Sequence, residues 1–67
     1  MIKTDIGINA GRIWQYLDQK GESKLADIKK DLMLKSAEAR MALGWLAREN
    51  KIFFYGDDDD MRIILLY

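Results

Sequence analysis

The sequence predicts a small α+β domain of three helices, one short strand and a two-stranded β-ribbon. Three observations carry that prediction. Ile28, Leu32 and Leu34, then Ser36, Ala39, Ala42, Leu43 and Leu46, have the spacing of a helix-turn-helix. Steps of three and four hold each set on one helical face, and the two-residue step from Leu32 to Leu34 marks the turn. Ahead of the motif, Ile6, Ala10, Ile13, Trp14 and Leu17 repeat at helical spacing. Behind it, KIFFY and MRIILL flank GDDDD and read as a hairpin.

The first helix is expected from Ile6 or Ala10 to Gln19, with Thr4, Asp5 or Asn9 as its N-cap. Gly7 and Gly11 weaken its first turns, and Gly21 supplies a left-handed stop. Glu22 to Leu25 is too short for a helix and fits a brief strand. The second helix spans about Ala26 to Leu32, with Ile28 and Leu32 inward and Lys29, Lys30 and Asp31 outward. Met33, Leu34 and Lys35 form the turn. Ser36 is the expected N-cap of the third helix, and Glu38 in its first turn suits the helix dipole. Asn50 tolerates the left-handed conformation and ends that helix.

Composition narrows the function. The 67 residues are expected to form one domain, residues 1–67. A chain of this length buries only ~60% of its unfolded surface, so a deep catalytic pocket is not expected. There is no His and no Cys, hence no imidazole base, no thiolate nucleophile and no familiar metal-ligand spacing. Ser and Thr fall in cap or turn positions, and no Gly-rich phosphate loop is present. The expectation is a non-enzyme without cofactor, metal or small-molecule substrate. No apolar run approaches the ~20 residues of a membrane span, and without Cys a cytoplasmic setting is expected. Eleven basic residues balance eleven acidic ones. That balance removes the usual electrostatic support for nucleic-acid binding without excluding it.

With these elements in order, the chain resembles the winged helix-turn-helix superfamily. ALGWLARENKI after the helix-turn-helix is similar to a group of short uncharacterised bacterial winged-helix proteins. Leu43, Leu46, Asn50 and Ile52 sit where such proteins carry their third-helix core, helix-ending residue and first wing hydrophobe. Ile28, Leu32, Leu34 and Ser36 match the motif's anchors and cap. The resemblance implies the order H1-S1-H2-H3-S2-S3 and a third helix set to enter the DNA major groove. Two departures stand out: Met33 replaces the usual turn Gly, which predicts a wider turn. Lys29 replaces a small residue where the second and third helices approach.

The outward arc of the third helix is the candidate contact surface. It carries Ala37, Met41, Gly44, Trp45 and Arg48, with Arg40 on its edge. Base readout wants Arg, Asn, Gln or Ser, and only Arg40 and Arg48 supply that chemistry. Gly44 in mid-helix costs about 1 kcal/mol relative to Ala, which close approach of another backbone would justify. Trp45 either completes a contact surface or folds down over the ribbon into this chain's own core; the sequence favours neither.

Three further features bear on the choice. Asp57 to Asp60 place four carboxylates where a DNA-binding wing usually carries Lys or Arg. A solvated turn suits them better than a calcium loop, which needs alternating ligands and a distal Glu. Lys30, Lys35 and Arg40 cluster at the helix-turn-helix, where phosphates would lie, although pairing with Asp27, Asp31 and Glu38 accounts for them equally well. The last strand is apolar on both faces, as are Phe53 and Phe54 opposite, which predicts cover from the first helix or another chain.

Two functions therefore remain open. One is weak binding of double-stranded DNA by a transcription-regulator type module, through Lys30, Lys35, Ser36, Arg40 and Arg48. The other is a protein-interaction module or homodimer centred on Ala37, Met41, Gly44 and Trp45. The superfamily favours the first slightly; the residue chemistry of the arc favours the second.

Overall fold

Each helix ends on a left-handed residue, and these stops set the architecture. In the computed structural model, which describes residues 3–57 and 60–66, α1 is Lys3–Lys20, α2 is Leu25–Leu32 and α3 is Ser36–Arg48. Gly21 (φ 81°) follows α1, and its N–H donates to the Leu17 carbonyl at 2.8 Å. Met33 (φ 56°) follows α2, with its own N–H on Lys30 O and the Leu34 N–H on Lys29 O. Asn50 (φ 59°) closes α3 in the same way, its N–H on Ala47 O and the Lys51 N–H on Leu46 O. Both are Schellman motifs, in which the left-handed residue turns the next two amides back onto orphan carbonyls. Met33 thus adopts the conformation that a Gly would have supplied. The Arg12 guanidinium adds a bond of 2.7 Å to the Leu32 carbonyl at the end of α2.

Two boundaries differ from the sequence expectation. Helix α1 starts at Lys3, ahead of Ile6, since flanking turns outweigh the weak propensity of Gly7 and Gly11. The N-cap of α3 is Lys35, not Ser36, which is already helical. Lys has no acceptor to cap with, so the work falls to Glu38, whose Oε1 accepts the Lys35 backbone N–H at 2.9 Å. Ser36 is freed for another contact: its hydroxyl oxygen accepts from Lys29 Nζ at 3.0 Å, so Lys29 spans the α2–α3 junction.

Strands β1 (Ser23–Lys24), β2 (Ile52–Tyr55) and β3 (Arg62–Leu65) form an antiparallel sheet in the order β1-β3-β2. The β2–β3 register pairs Ile52 with Leu65, Phe53 with Ile64, Phe54 with Ile63 and Tyr55 with Arg62. Ile52 and Ile63 point into a core completed by Ala10, Ile13, Leu17, Leu25, Ile28, Leu34, Ala39, Ala42, Leu43 and Leu46. The helical spacings named Ala10, Ile13, Leu17, Ile28, Ala39, Ala42, Leu43 and Leu46, each on the stripe its helix turns inward, but not Leu25. Ile6, Trp14 and Leu32, expected inward, stay partly exposed.

The far face of the sheet is left exposed by this chain's own helices at Phe53 and Tyr55. Phe53 (56% exposed) and Tyr55 (47%) stand on it, their rings 6.2 Å apart and tilted. The Tyr55 hydroxyl donates to Glu22 Oε2 at 2.5 Å, and Arg62 lies 3.7 Å from the same carboxylate. That carboxylate acceptor raises the Tyr55 pKa above the ordinary phenol value. No helix among the described residues is long and apolar enough to cross a membrane. Asp58 and Asp59, half of the acidic run, lie outside the described residues.

Candidate nucleic-acid interface

Helix α3 presents a narrow stripe. At ~100° per residue, Ala37, Met41, Gly44 and Arg48 fall within about 60° of one another, along some 16 Å of helix. All four are exposed, Met41 at 47%. Arg40 lies on one edge of the stripe and is also exposed. Trp45 lies on the other edge, about 80° from Ala37.

The indole at that edge is half-buried and packs against the chain's own core. With Trp14, Gly7, Ala10, Gly11, Leu46, Glu49 and Lys51 it walls a shallow groove between α1 and α3. Gly7, Gly11 and Trp14 follow at steps of four and three, so they share one side of α1. A Cβ added at Gly7 or Gly11 meets nothing within 4 Å, so the groove is open beside both glycines. Of the two placements weighed from sequence, the one against this chain's own core is the nearer, with the ring only partly buried.

The basic residues gather around the same stripe. Lys30 near the end of α2, Lys35 at the start of α3, and Arg40 and Arg48 along α3 are all exposed. Arg40, Arg48, Lys30 and Lys35 form no ion pair with any described residue, so surface pairing with Asp27, Asp31 or Glu38 does not occupy them. Asp31 accepts instead from Tyr16, whose hydroxyl lies 2.6 Å from Oδ2. That bond, with lesser contributions from burial and charge, pushes the Tyr16 pKa up to about 12.

Sequence reasoning missed a second feature beside Arg40. Leu25, Arg40, Leu43, Gly44, Phe54 and Met61 line a shallow, largely apolar cavity of about 150 Å³ between α3 and the ribbon. Phe54 shares the inward side of β2 with Ile52, yet it stays 41% exposed at the cavity mouth. Strict alternation along β2 would have placed it there; the KIFFY run concealed the alternation by being apolar throughout. Among the described residues no group of His, Cys, Asp or Glu could hold a metal ion.

Comparison with known proteins agrees with this geometry. A family model described as a winged helix-turn-helix domain (DUF2582) matches residues 1–65. The chain is similar to uncharacterized protein MJ1608 of Methanocaldococcus jannaschii, 45% identical over 56 residues and covering 79% of each chain. Its fold is similar to the solution NMR structure of protein BT2368 from Bacteroides thetaiotaomicron. The TM-score is 0.82 at 29% identity, covering 97% of this chain and 79% of that one.

Proposed function

The chain belongs to the winged helix-turn-helix family DUF2582, and from that premise we propose that it is a non-catalytic module that binds double-stranded DNA in the manner of transcription regulators. Helix α3 enters the major groove by its outward stripe. Arg40 lies on one edge of contact and Arg48 within the stripe at its C-terminal end, Lys30 and Lys35 engage flanking phosphates, and Ser36 sits at the helix start nearest the backbone.

One observation carries this reading: half-buried Trp45 leaves exposed a stripe of small or flexible residues that ends on Arg48 and is flanked by Arg40, neither arginine ion-paired with a described residue. Ala37 and Gly44 permit close approach, Met41 adapts its shape, and the guanidiniums suit guanine edges or phosphates. The acidic turn, with Asp57 and Asp60 exposed, repels phosphate and keeps the ribbon away from the duplex. Contact therefore rests on α3 alone, and affinity is low and strongly salt-dependent. Titrating a fluorescent duplex at several salt concentrations tests this. About four phosphate contacts predict a slope of log K on log salt near −3 to −4. Absence of binding at low salt removes the proposal.

The apolar cavity favours a second reading. Leu43, Phe54 and Met61 offer a surface for another protein's apolar side chain, with Arg40 and Gly44 also lining it. Binding through that surface would weaken on Met61→Asp and would change little with salt.

A further inference from the structure

The cavity between α3 and the ribbon combines an apolar lining with a single charge. Leu25 and Leu43 are buried, Phe54 and Met61 come from the ribbon, and Arg40 and Gly44 come from α3. Arg40 is the one charged residue among the six, and no described carboxylate pairs with it. Its neighbours one turn away on α3, Ser36, Ala37, Leu43 and Gly44, include no acid. Glu38 is spent on the backbone N–H of Lys35. None of the lining side chains is a catalytic nucleophile or base, so the cavity is suited to holding a molecule and not to transforming it.

Gly44 adds an independent observation. A Cβ built there meets nothing within 4 Å, so packing inside the chain gives no reason for a helix-weakening glycine. The bare backbone instead leaves one wall of the cavity open to a flat group lying against α3.

We propose that this cavity binds a small aromatic monocarboxylate, its ring among Leu43, Phe54 and Met61 and its carboxylate on the Arg40 guanidinium. Three features select that ligand. A volume of about 150 Å³ matches an apolar cavity that admits one benzene ring, so the body is a single ring. Phe54, 41% exposed, and the partly buried Met61 offer a phenyl ring and a thioether, both of which favour an aromatic neighbour. The planar guanidinium fork matches a planar carboxylate through two bonds, and one unanswered cation calls for one negative charge. A neutral side chain from another protein would cover the cavity and leave that cation unanswered. The cavity is shallow, so dissociation falls in the millimolar range. Binding needs no duplex and is measured on the free chain.

Nitrogen-15 and methyl correlation spectra of the full chain, titrated with sodium benzoate at constant ionic strength, test the site. The Gly44 amide and the methyl groups of Leu25, Leu43 and Met61 should shift together and saturate with a shared dissociation constant. Benzamide, which keeps the ring and loses the charge, should bind about fivefold more weakly. Arg40→Gln should weaken benzoate to the benzamide level and leave benzamide itself unchanged, an outcome that a general loss of structure cannot mimic. Gly44→Leu should block both ligands while the other resonances keep their dispersion; if it disturbs the fold, the Arg40→Gln comparison decides alone. Absence of saturable shifts up to tens of millimolar benzoate overturns the proposal. So does equal binding of benzoate and benzamide by the native chain, which would make the cavity a plain apolar contact, or saturable shifts that map to Trp14 and Trp45 instead.

Discussion

The Tyr16 hydroxyl donates to Asp31 Oδ2 across 2.6 Å and ties the middle of α1 to the end of α2. The second helix of the helix-turn-helix is thereby fixed against the first, and α3 is aimed by what precedes it. Lys20 Nζ lies 6.0 Å from the same ring and adds a weak cation–π contact.

That bond has a pH signature. The Tyr16 pKa rises from 10.0 to about 12 in the folded chain, so the neutral phenol is the form that folding favours. The stabilisation is complete below pH 10 and is lost as the pH rises from there through 12. The site is partly solvated, which holds the contribution to about 1 kcal/mol. Melting of the native chain and Tyr16→Phe between pH 8 and about 12 should show a gap that closes at the alkaline end. A gap independent of pH would contradict the assignment.

Trp45 should behave as a structural residue. Its half-burial against the core predicts that Trp45→Ala destabilises the fold by about 2 kcal/mol, less than a fully buried Trp would cost. Chemical denaturation measures this directly. Trp45→Arg should destabilise as well, rather than leaving the fold intact. Unchanged stability in both variants would place the ring outside the α1–α3 contact.

Met33 holds a left-handed conformation while 89% exposed. Its side chain contributes little packing, so Met33→Gly relieves backbone strain at small cost. The expected gain is up to about 1 kcal/mol, less the entropy of a freer unfolded chain. A loss of melting temperature would mean that the Met33 side chain packs after all.

Gly44 separates stability from function. A Cβ added there meets nothing within 4 Å, so nothing inside the chain requires glycine. Gly44→Ala should stabilise α3 by about 1 kcal/mol. If a duplex backbone or base edge approaches this position, Gly44→Leu should weaken binding several-fold while the helix remains intact. Unimpaired binding by Gly44→Leu would mean that the stripe does not meet the duplex.

Much of this arrangement was legible in the sequence, and the limits have physical causes. Helix positions and core residues followed from apolar spacing, because Ile13, Leu17, Ile28, Leu43 and Leu46 each lie on the one stripe their helix can bury. Gly21 and Asn50 announced their helix ends because left-handed conformations select such residues. Met33 did not, since a long side chain there obeys the Schellman hydrogen bonds rather than its own preference. The cap of α3 shifted to Lys35 because Glu38 supplied the acceptor from within the helix. The burial of Trp45 was not legible from α3 alone: a residue on the edge of two arcs is half-buried or exposed according to what packs beside its helix. The exposed row of Lys30, Lys35, Arg40 and Arg48 was identified by position, but its freedom from ion pairs depends on where Asp31 and Glu38 spend their oxygens.

Nitrogen-15 correlation spectra of the chain, titrated with a short DNA duplex at low salt, ask whether α3 is the contact surface. The amides of Ala37, Arg40, Met41, Gly44 and Arg48 should shift together, with Lys30 and Lys35 at the margin, and return as salt is added. Shifts confined to Phe53, Tyr55 and Leu66, or a spectrum that the duplex leaves unchanged, would contradict the assignment of this face to nucleic acid.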